Sequence, residues 1–181
     1  MTTAGLVLAA GEGKRFGGPK APYVHQGKRL IDTAVEVLSA AGCSPVFVVL
    51  GAWIGEVPNA EILVNENWAS GMGSSLQTGL AHLNAQSDIE EVVVSLVDLP
   101  GLTSDAVSRI VQSPGEIVVA SYGGTRGHPV KFTRDTWPEL ITSANGDQGA
   151  RTYISEHPED IVLIEVGDVA TGEDMDVRPT A

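Results

Sequence analysis

The segment Ala9-Ala10-Gly11-Glu12-Gly13-Lys14-Arg15-Phe16-Gly17-Gly18-Pro19-Lys20 sets four glycines and three cations directly behind an apolar run. Glycine lets backbone amides approach an anion closely, and Lys14, Arg15 and Lys20 add charge, which together make a phosphate cradle. A glycine loop after a strand also serves simply as a turn. Three like charges in one short loop repel each other, however, and an anion that offsets them accounts for their placement. The pattern is neither of the two familiar nucleotide loops. Gly13 and Gly18 have the P-loop separation, but Pro19 precedes Lys20 and no Ser or Thr follows it. Gly11, Gly13 and Gly17 are spaced one residue too long for the dinucleotide fingerprint, and Leu50-Gly51-Ala52 offers no ribose-binding acid after the second apolar run. Asp32 has about the right sequence distance but falls at a helix start.

Asp98 follows the apolar run Val92–Val97, where a buried strand opens into the ligand crevice of a parallel sheet. A carboxylate there either caps the next turn or shares a hard divalent cation with phosphate oxygens. Thr103 to Asp105 already offer caps, which favours the cation. Residues 65–76, Asn65-Glu66-Asn67-Trp68-Ala69-Ser70-Gly71-Met72-Gly73-Ser74-Ser75-Leu76, form a polar loop entering a helix. It is rich enough in donors to read a base edge, although N-capping by Ser74 or Ser75 is the simpler role. Gly124-Thr125-Arg126-Gly127-His128-Pro129 reads as a flexible polar loop in which a lone histidine is solvated. Asp147 in Gly146-Asp147-Gln148-Gly149-Ala150-Arg151 reads as a helix cap. Glu173, Asp174 and Asp176 form either a solvated acidic tail or a second metal arm.

These residues need a scaffold, and the hydrophobic pattern supplies one. Apolar runs at Leu6–Ala10, Pro45–Leu50, Glu61–Val64, Val92–Val97, Ile117–Ala120, Pro129–Thr133 and Ile161–Val166 predict strands. Helical spacing appears over 30–41, 74–83, 104–111, from Thr136, and over 148–156. Unbroken apolar strands alternating with helices predict an α/β, three-layer Rossmann-like fold, its mainly parallel sheet covered by helices on both faces. The stretch from Ser121 to Phe132 is irregular and fits an antiparallel insertion as well as a parallel strand. No linker or repeat interrupts residues 1–181, so one domain is expected.

With 181 residues, 43% hydrophobic and 19% charged, the chain has material for a sizeable core. The 21 glycines and 10 prolines follow no period, which excludes collagen-like sequence. Cys43 is the one cysteine, so neither an internal disulfide nor a thiolate zinc cage is available, and a small buried hydrophobe is its expected role. No apolar run approaches the roughly 20 residues of a membrane helix, and the N-terminus lacks a charged segment before its apolar stretch, so a cytoplasmic protein is expected. The formal charge of −12 opposes nucleic acid and anionic membranes as partners. Yet residues 1–29 carry +4, leaving −16 on the rest, as suits a small phosphorylated ligand.

Taken together, residues 6–20, Asn65–Leu76, Val92–Pro100, Gly123–Phe132, Gly146–Arg151 and Asp174–Asp176 resemble the molybdenum cofactor cytidylyltransferase branch of the molybdopterin nucleotidyltransferases. The resemblance implies transfer of CMP from CTP to the terminal phosphate of molybdopterin, with release of pyrophosphate and a requirement for magnesium. By the same resemblance, Leu8, Ala9, Ala10, Gly11, Gly13 and Lys14 approach the nucleotide, Arg15 holds the leaving phosphates and Lys20 the α-phosphate. Asn65, Gly71 and Ser75 meet the base and ribose, Arg126, Gly127, His128 and Asp147 form the acceptor side, and Asp98 and Asp176 hold magnesium. A molybdoenzyme is implied as a further partner. Ala9-Ala10-Gly11 resembles cytidylyl rather than guanylyl members, which more often show paired glycines there. The chain departs from the family at Val97-Asp98-Leu99-Pro100, at Pro19, and after Asp176, where Val177-Arg178-Pro179-Thr180 replaces the usual Thr-Pro-Glu-Asp. The alternatives are a guanylyltransferase or other nucleotidyltransferase, a non-catalytic carrier that delivers cofactor to a molybdoenzyme, and an NAD-dependent oxidoreductase.

Overall fold

A computed structural model describes residues 1–180. The first apolar run becomes β1 (Thr3–Leu8), followed by a small hairpin of β2 (Val24–His25) and β3 (Lys28–Arg29) and by α1 (Leu30–Ala40). Then come β4 (Val46–Leu50), β5 (Glu61–Val64), α2 (Met72–Asn84), β6 (Glu91–Leu96), α3 (Ser104–Gln112), β7 (Ile117–Tyr122) and β8 (Thr125–Thr133). The chain closes with α4 (Trp137–Ser143), α5 (Arg151–Glu156) and β9 (Ile161–Glu165). Every residue of β1 and β4 is buried, as expected of strands covered on both faces.

Seven strands form one sheet in the order β5-β4-β1-β6-β8-β7-β9. All run the same way except β8, which is antiparallel to both β6 and β7. Side chains alternate between faces. Val7 and Ala9 join Ile31, Leu38, Val107 and Ile110 under α1 and α3. Leu6, Leu8 and Ala10 join Leu76, Leu80, Trp137 and Leu140 under α2 and α4. The expected three layers are present, and Cys43 is buried beside α1 as a hydrophobe. Burial pushes its thiol pKa up to about 12, which keeps it uncharged. Among the described residues, no helix is long and apolar enough to cross a membrane.

Four local expectations are corrected. The reversed strand begins at Thr125, so Arg126, Gly127 and His128 sit in β8, where Arg126 pairs with Ser121 and Gly127 with Ala120 after a shift in register near Val119. A two-glycine turn, Gly123 (φ 61°) and Gly124 (φ 86°), allows the strand to start that early. The helix expected from Gln148 starts at Arg151, because Gly149 adopts φ 54° and breaks it. Helix α2 begins two residues before Ser74 and has no side-chain cap, the residue before it being Gly71. Asp147 likewise makes no side-chain cap and lies in a single 3₁₀ turn.

The reversed strand is anchored at its far end by Lys131, which is 2% exposed. Its ammonium donates to Glu91 Oε1 (3.1 Å) and to the carbonyls of Ser113 (2.7 Å) and Val111 (3.3 Å), while Thr3 Oγ1 donates to the other Glu91 oxygen (2.8 Å). A buried charge so fully partnered pins β6, β8 and the end of α3 in one arrangement, since breaking it leaves an uncompensated ion.

After β9 the chain runs back as an irregular strap along the sheet edge that carries the strands' C-termini. Val166 N–H donates to Ser121 O, Thr171 N–H to Gly101 O and Met175 N–H to Asp98 O. Gly101 has no Cβ for a reason: one built there would lie 1.8 Å from Thr171 Oγ1.

Candidate nucleotide and metal site

The C-terminal ends of β1 and β6 open side by side, and the loops after them meet. The loop after β1 folds on itself, with Gly17 N–H and Gly18 N–H both donating to Gly13 O (2.8 and 3.0 Å). Gly13 adopts φ 62°, and a Cβ there would lie 2.0 Å from Gly18 O, so only glycine fits. This closed loop delivers Lys20 to the end of β6. Lys20 Nζ lies 2.7 Å from Asp98 Oδ2 and 3.5 Å from Asp176 Oδ1. The Lys20 and Asp98 side chains are only 16% and 15% exposed, so the attraction is weakly screened. Arg15 reaches Asp176 Oδ2 at 3.0 Å, and Lys14 pairs with Glu12 at 3.0 Å, both near solvent. Each loop cation therefore faces a carboxylate of the chain itself. The mutual repulsion read from the sequence is offset internally, so the cations alone do not demand an external anion.

Asp98, Asp174 and Asp176 each present one carboxylate oxygen within 4.8 Å of the others. Asp98 Oδ1 is buried and has no hydrogen-bond partner. A buried carboxylate oxygen left unpaired is costly, and a hard cation held by three carboxylates satisfies it. The donor set is all oxygen, which suits magnesium or manganese and not a soft metal. By sequence alone Asp174 reads equally as solvated tail or as metal arm. Its place beside Asp98 comes from the strap, which Met175 N–H ties to Asp98 O at 2.8 Å.

On one side of this centre a cleft of about 390 Å³ is lined by Leu8, Ala10, Gly11, Lys14, Gly71 and Ser75, all expected at the nucleotide, and by Trp68, Met72 and Asp147. Ala9, Gly13, Lys20 and Asp98 line the adjoining cavity of about 210 Å³. Gly71 is needed for closeness as well as for the cleft: a Cβ there would lie 2.5 Å from the Gly146 backbone and 2.7 Å from Asp147 Oδ1. Asn65 does not line the cleft. It is buried, and its amide donates to Ser74 Oγ (2.8 Å) and Ser75 Oγ (3.0 Å) while its oxygen accepts from Asn67 N–H (2.9 Å). Its work is to hold the serine loop in shape.

On the other side lies a cleft of about 480 Å³ lined by Arg126, Gly127, His128 and Asp147, with Arg151, Gln148 and Asp174 beside them. His128 is half-buried there instead of solvated. Burial, and secondarily Arg151, push its pKa down from 6.5 to about 4 against the opposing pull of Asp98, so the ring is neutral near pH 7. Tyr122 O–H donates to His128 O at 2.6 Å, which fixes this wall, and burial pushes the Tyr122 pKa up to about 12. Met72 lines all three cavities, so they adjoin along one crevice at the strands' C-terminal ends. No role for Met72, Trp68 or Arg151 is legible in the sequence, since only the fold shows what they face.

Residues 5–161 match the model of the MobA-like NTP transferase domain. The chain belongs to that family. This MobA-like chain is 39% identical over 188 residues to a protein named nicotine blue oxidoreductase from Paenarthrobacter nicotinovorans, covering 95% of this chain and 91% of that one. It is 36% identical over 117 residues to a probable molybdenum cofactor guanylyltransferase from Mycobacterium ulcerans, covering 62% of this chain and 57% of that protein. Among solved structures it is similar to Rv0371c from Mycobacterium tuberculosis H37Rv, with a TM-score of 0.79 and 25% identity, covering 96% of this chain and 93% of that one. The MobA-like sheet, with its helices on both faces, is the fold shared with Rv0371c.

Proposed function

We propose that this MobA-like chain transfers CMP from CTP to the terminal phosphate of molybdopterin and releases pyrophosphate. The observation that carries the reading is the meeting of Lys20 with Asp98, Asp174 and Asp176 at the joint mouth of β1 and β6, between two clefts of nucleotide and acceptor size. In the reaction an oxygen of the acceptor phosphate attacks the α-phosphorus, the bond to the β-phosphate oxygen breaks, and pyrophosphate leaves. Both partners are anions, so catalysis reduces to alignment and charge stabilisation, and no protein nucleophile is needed. Lys20 serves the α-phosphate, and Arg15, exchanging Asp176 for phosphate oxygens, serves the leaving group. Asp98, Asp174 and Asp176 would hold magnesium, which neutralises phosphate charge when bound. Arg126 and Arg151 face the acceptor cleft and suit an anionic acceptor. Ala10 lines the base cleft at a position where guanylyl members more often carry a glycine, which supports CTP over GTP. A molybdoenzyme receiving the product is part of the same proposal.

The test is pyrophosphate release with molybdopterin, magnesium and each nucleoside triphosphate in turn. Release with CTP is expected, and preference for GTP moves the chain to the guanylyl branch. Binding of CTP without release makes it a carrier. A second reading, oxidoreduction, is favoured by the name of the 39% identical relative. Oxidation of a reduced nicotinamide nucleotide in the presence of a dye acceptor, with no pyrophosphate from any triphosphate, establishes it in place of the first.

A further inference from the structure

The strap that carries Asp174 and Asp176 continues past them to the glycine loop. Two residues beyond Asp176, Arg178 Nε donates to Phe16 O at 3.0 Å and an Arg178 Nη donates to Gly17 O at 3.4 Å. The same guanidinium lies over the rings of Phe16 (5.3 Å) and Tyr23 (5.6 Å), which meet edge to face with centroids 4.8 Å apart. Gly17 and Gly18 adopt φ 88° and 151°, and a Cβ on Gly18 would come within 3.4 Å of the Arg178 fork. Glycines lose more conformational freedom on ordering than any other residue, so an external tie adds to what the bonds to Gly13 O already hold in this loop. Arg178 ties down two of its carbonyls. Only a planar fork that also stacks can do both tasks, which distinguishes arginine from lysine here.

We propose that Arg178 is a positioning residue for the phosphates of the bound nucleotide. It clasps the glycine loop to the strap, so one segment both contributes the metal-facing carboxylates and sets the loop that cradles the triphosphate. The kinetic half of this proposal rests on the nucleotidyltransferase reading, whereas the clasp itself stands apart from it.

Trypsin cuts after Lys14 and Arg15, inside the loop, and so reports the clasp without any substrate. In the full chain, Arg178→Ala is expected to raise the cutting rate at those two bonds about tenfold, with a Tm within about 2 °C of the parent because the lost contacts open the loop locally. Arg178→Lys is expected to restore less than half of that protection. Cutting that is unchanged in Arg178→Ala, or fully restored by lysine, overturns the clasp. In turnover, Arg178→Ala raises KM for CTP about tenfold and leaves kcat within about twofold, the signature of lost uniform binding. A kcat loss at constant KM overturns the positioning role. Should the parent protein show no turnover, the nucleotidyltransferase reading fails while the tryptic comparison still decides the clasp.

Discussion

At the end of the crevice proposed for phosphate Lys14, Arg15 and Lys20 each face a carboxylate of the chain, whereas at the end proposed for the acceptor Arg126 and Arg151 have no ion pair among the described residues. The first end is braced by its own charges and by the strap, so its geometry is set in advance. At the second, hydrogen bonds shape the wall and leave two guanidinium groups to be matched by whatever enters. Under the proposed function, preorganisation suits the triphosphate, and open cations suit the anionic acceptor.

Replacing Asp98 by alanine tests the braced end most severely. Loss of pyrophosphate release on the order of 10³-fold is expected, with retained folding by circular dichroism, and a rate within threefold of the parent removes Asp98 from the metal site. The double change Arg126→Ala with Arg151→Ala tests the open end. It should lower kcat/KM for the acceptor roughly 100-fold and leave CTP affinity, measured by calorimetry, unaltered. An equal loss for both substrates erases the distinction between the ends. Ala10→Gly tests the base choice, and the ratio of CTP to GTP turnover should drop about tenfold. A constant ratio places base choice elsewhere.

The smallest effect concerns His128. Its folded pKa of about 4 lies below the ordinary 6.5, so as pH falls through this interval the unfolded chain takes up a proton before the folded one does. The stability that neutral His128 contributes is complete above about pH 6.5 and is lost as pH drops toward about 4. Urea midpoints measured between these values should decline less steeply in His128→Gln. Parallel slopes place the acidic instability in other groups.

The phosphate end is largely readable from the sequence because its parts are local: a glycine loop fixed by its own turn, and an aspartate at the end of an apolar strand. The acceptor end is less so. Arg126 to His128 look like loop because three glycines surround them, yet pairing with Ser121 and Ala120 draws Arg126 and Gly127 into a strand, and that strand is held in the sheet by β6, distant in sequence. Asp174, Arg178 and the hidden role of Asn65 stay out of reach for the same reason. Each acts through a partner 9 to 162 residues away, and no periodicity marks a strap that follows neither helix nor sheet. The helix start at Met72 also eludes capping rules, since Gly71 is kept for its close approach to Gly146 and not as a cap.

The Gly123-Gly124 turn leads into the strand that carries Arg126, Gly127 and His128, with its amides held by Glu165 at the end of β9. Because the strand behind it is locked at its far end by Lys131, length added or removed at this tip should leave the glycine loop and the three aspartates where they are. Evolution can thus remodel what the molecule accepts by editing one hairpin, and engineering toward a new acceptor should begin there.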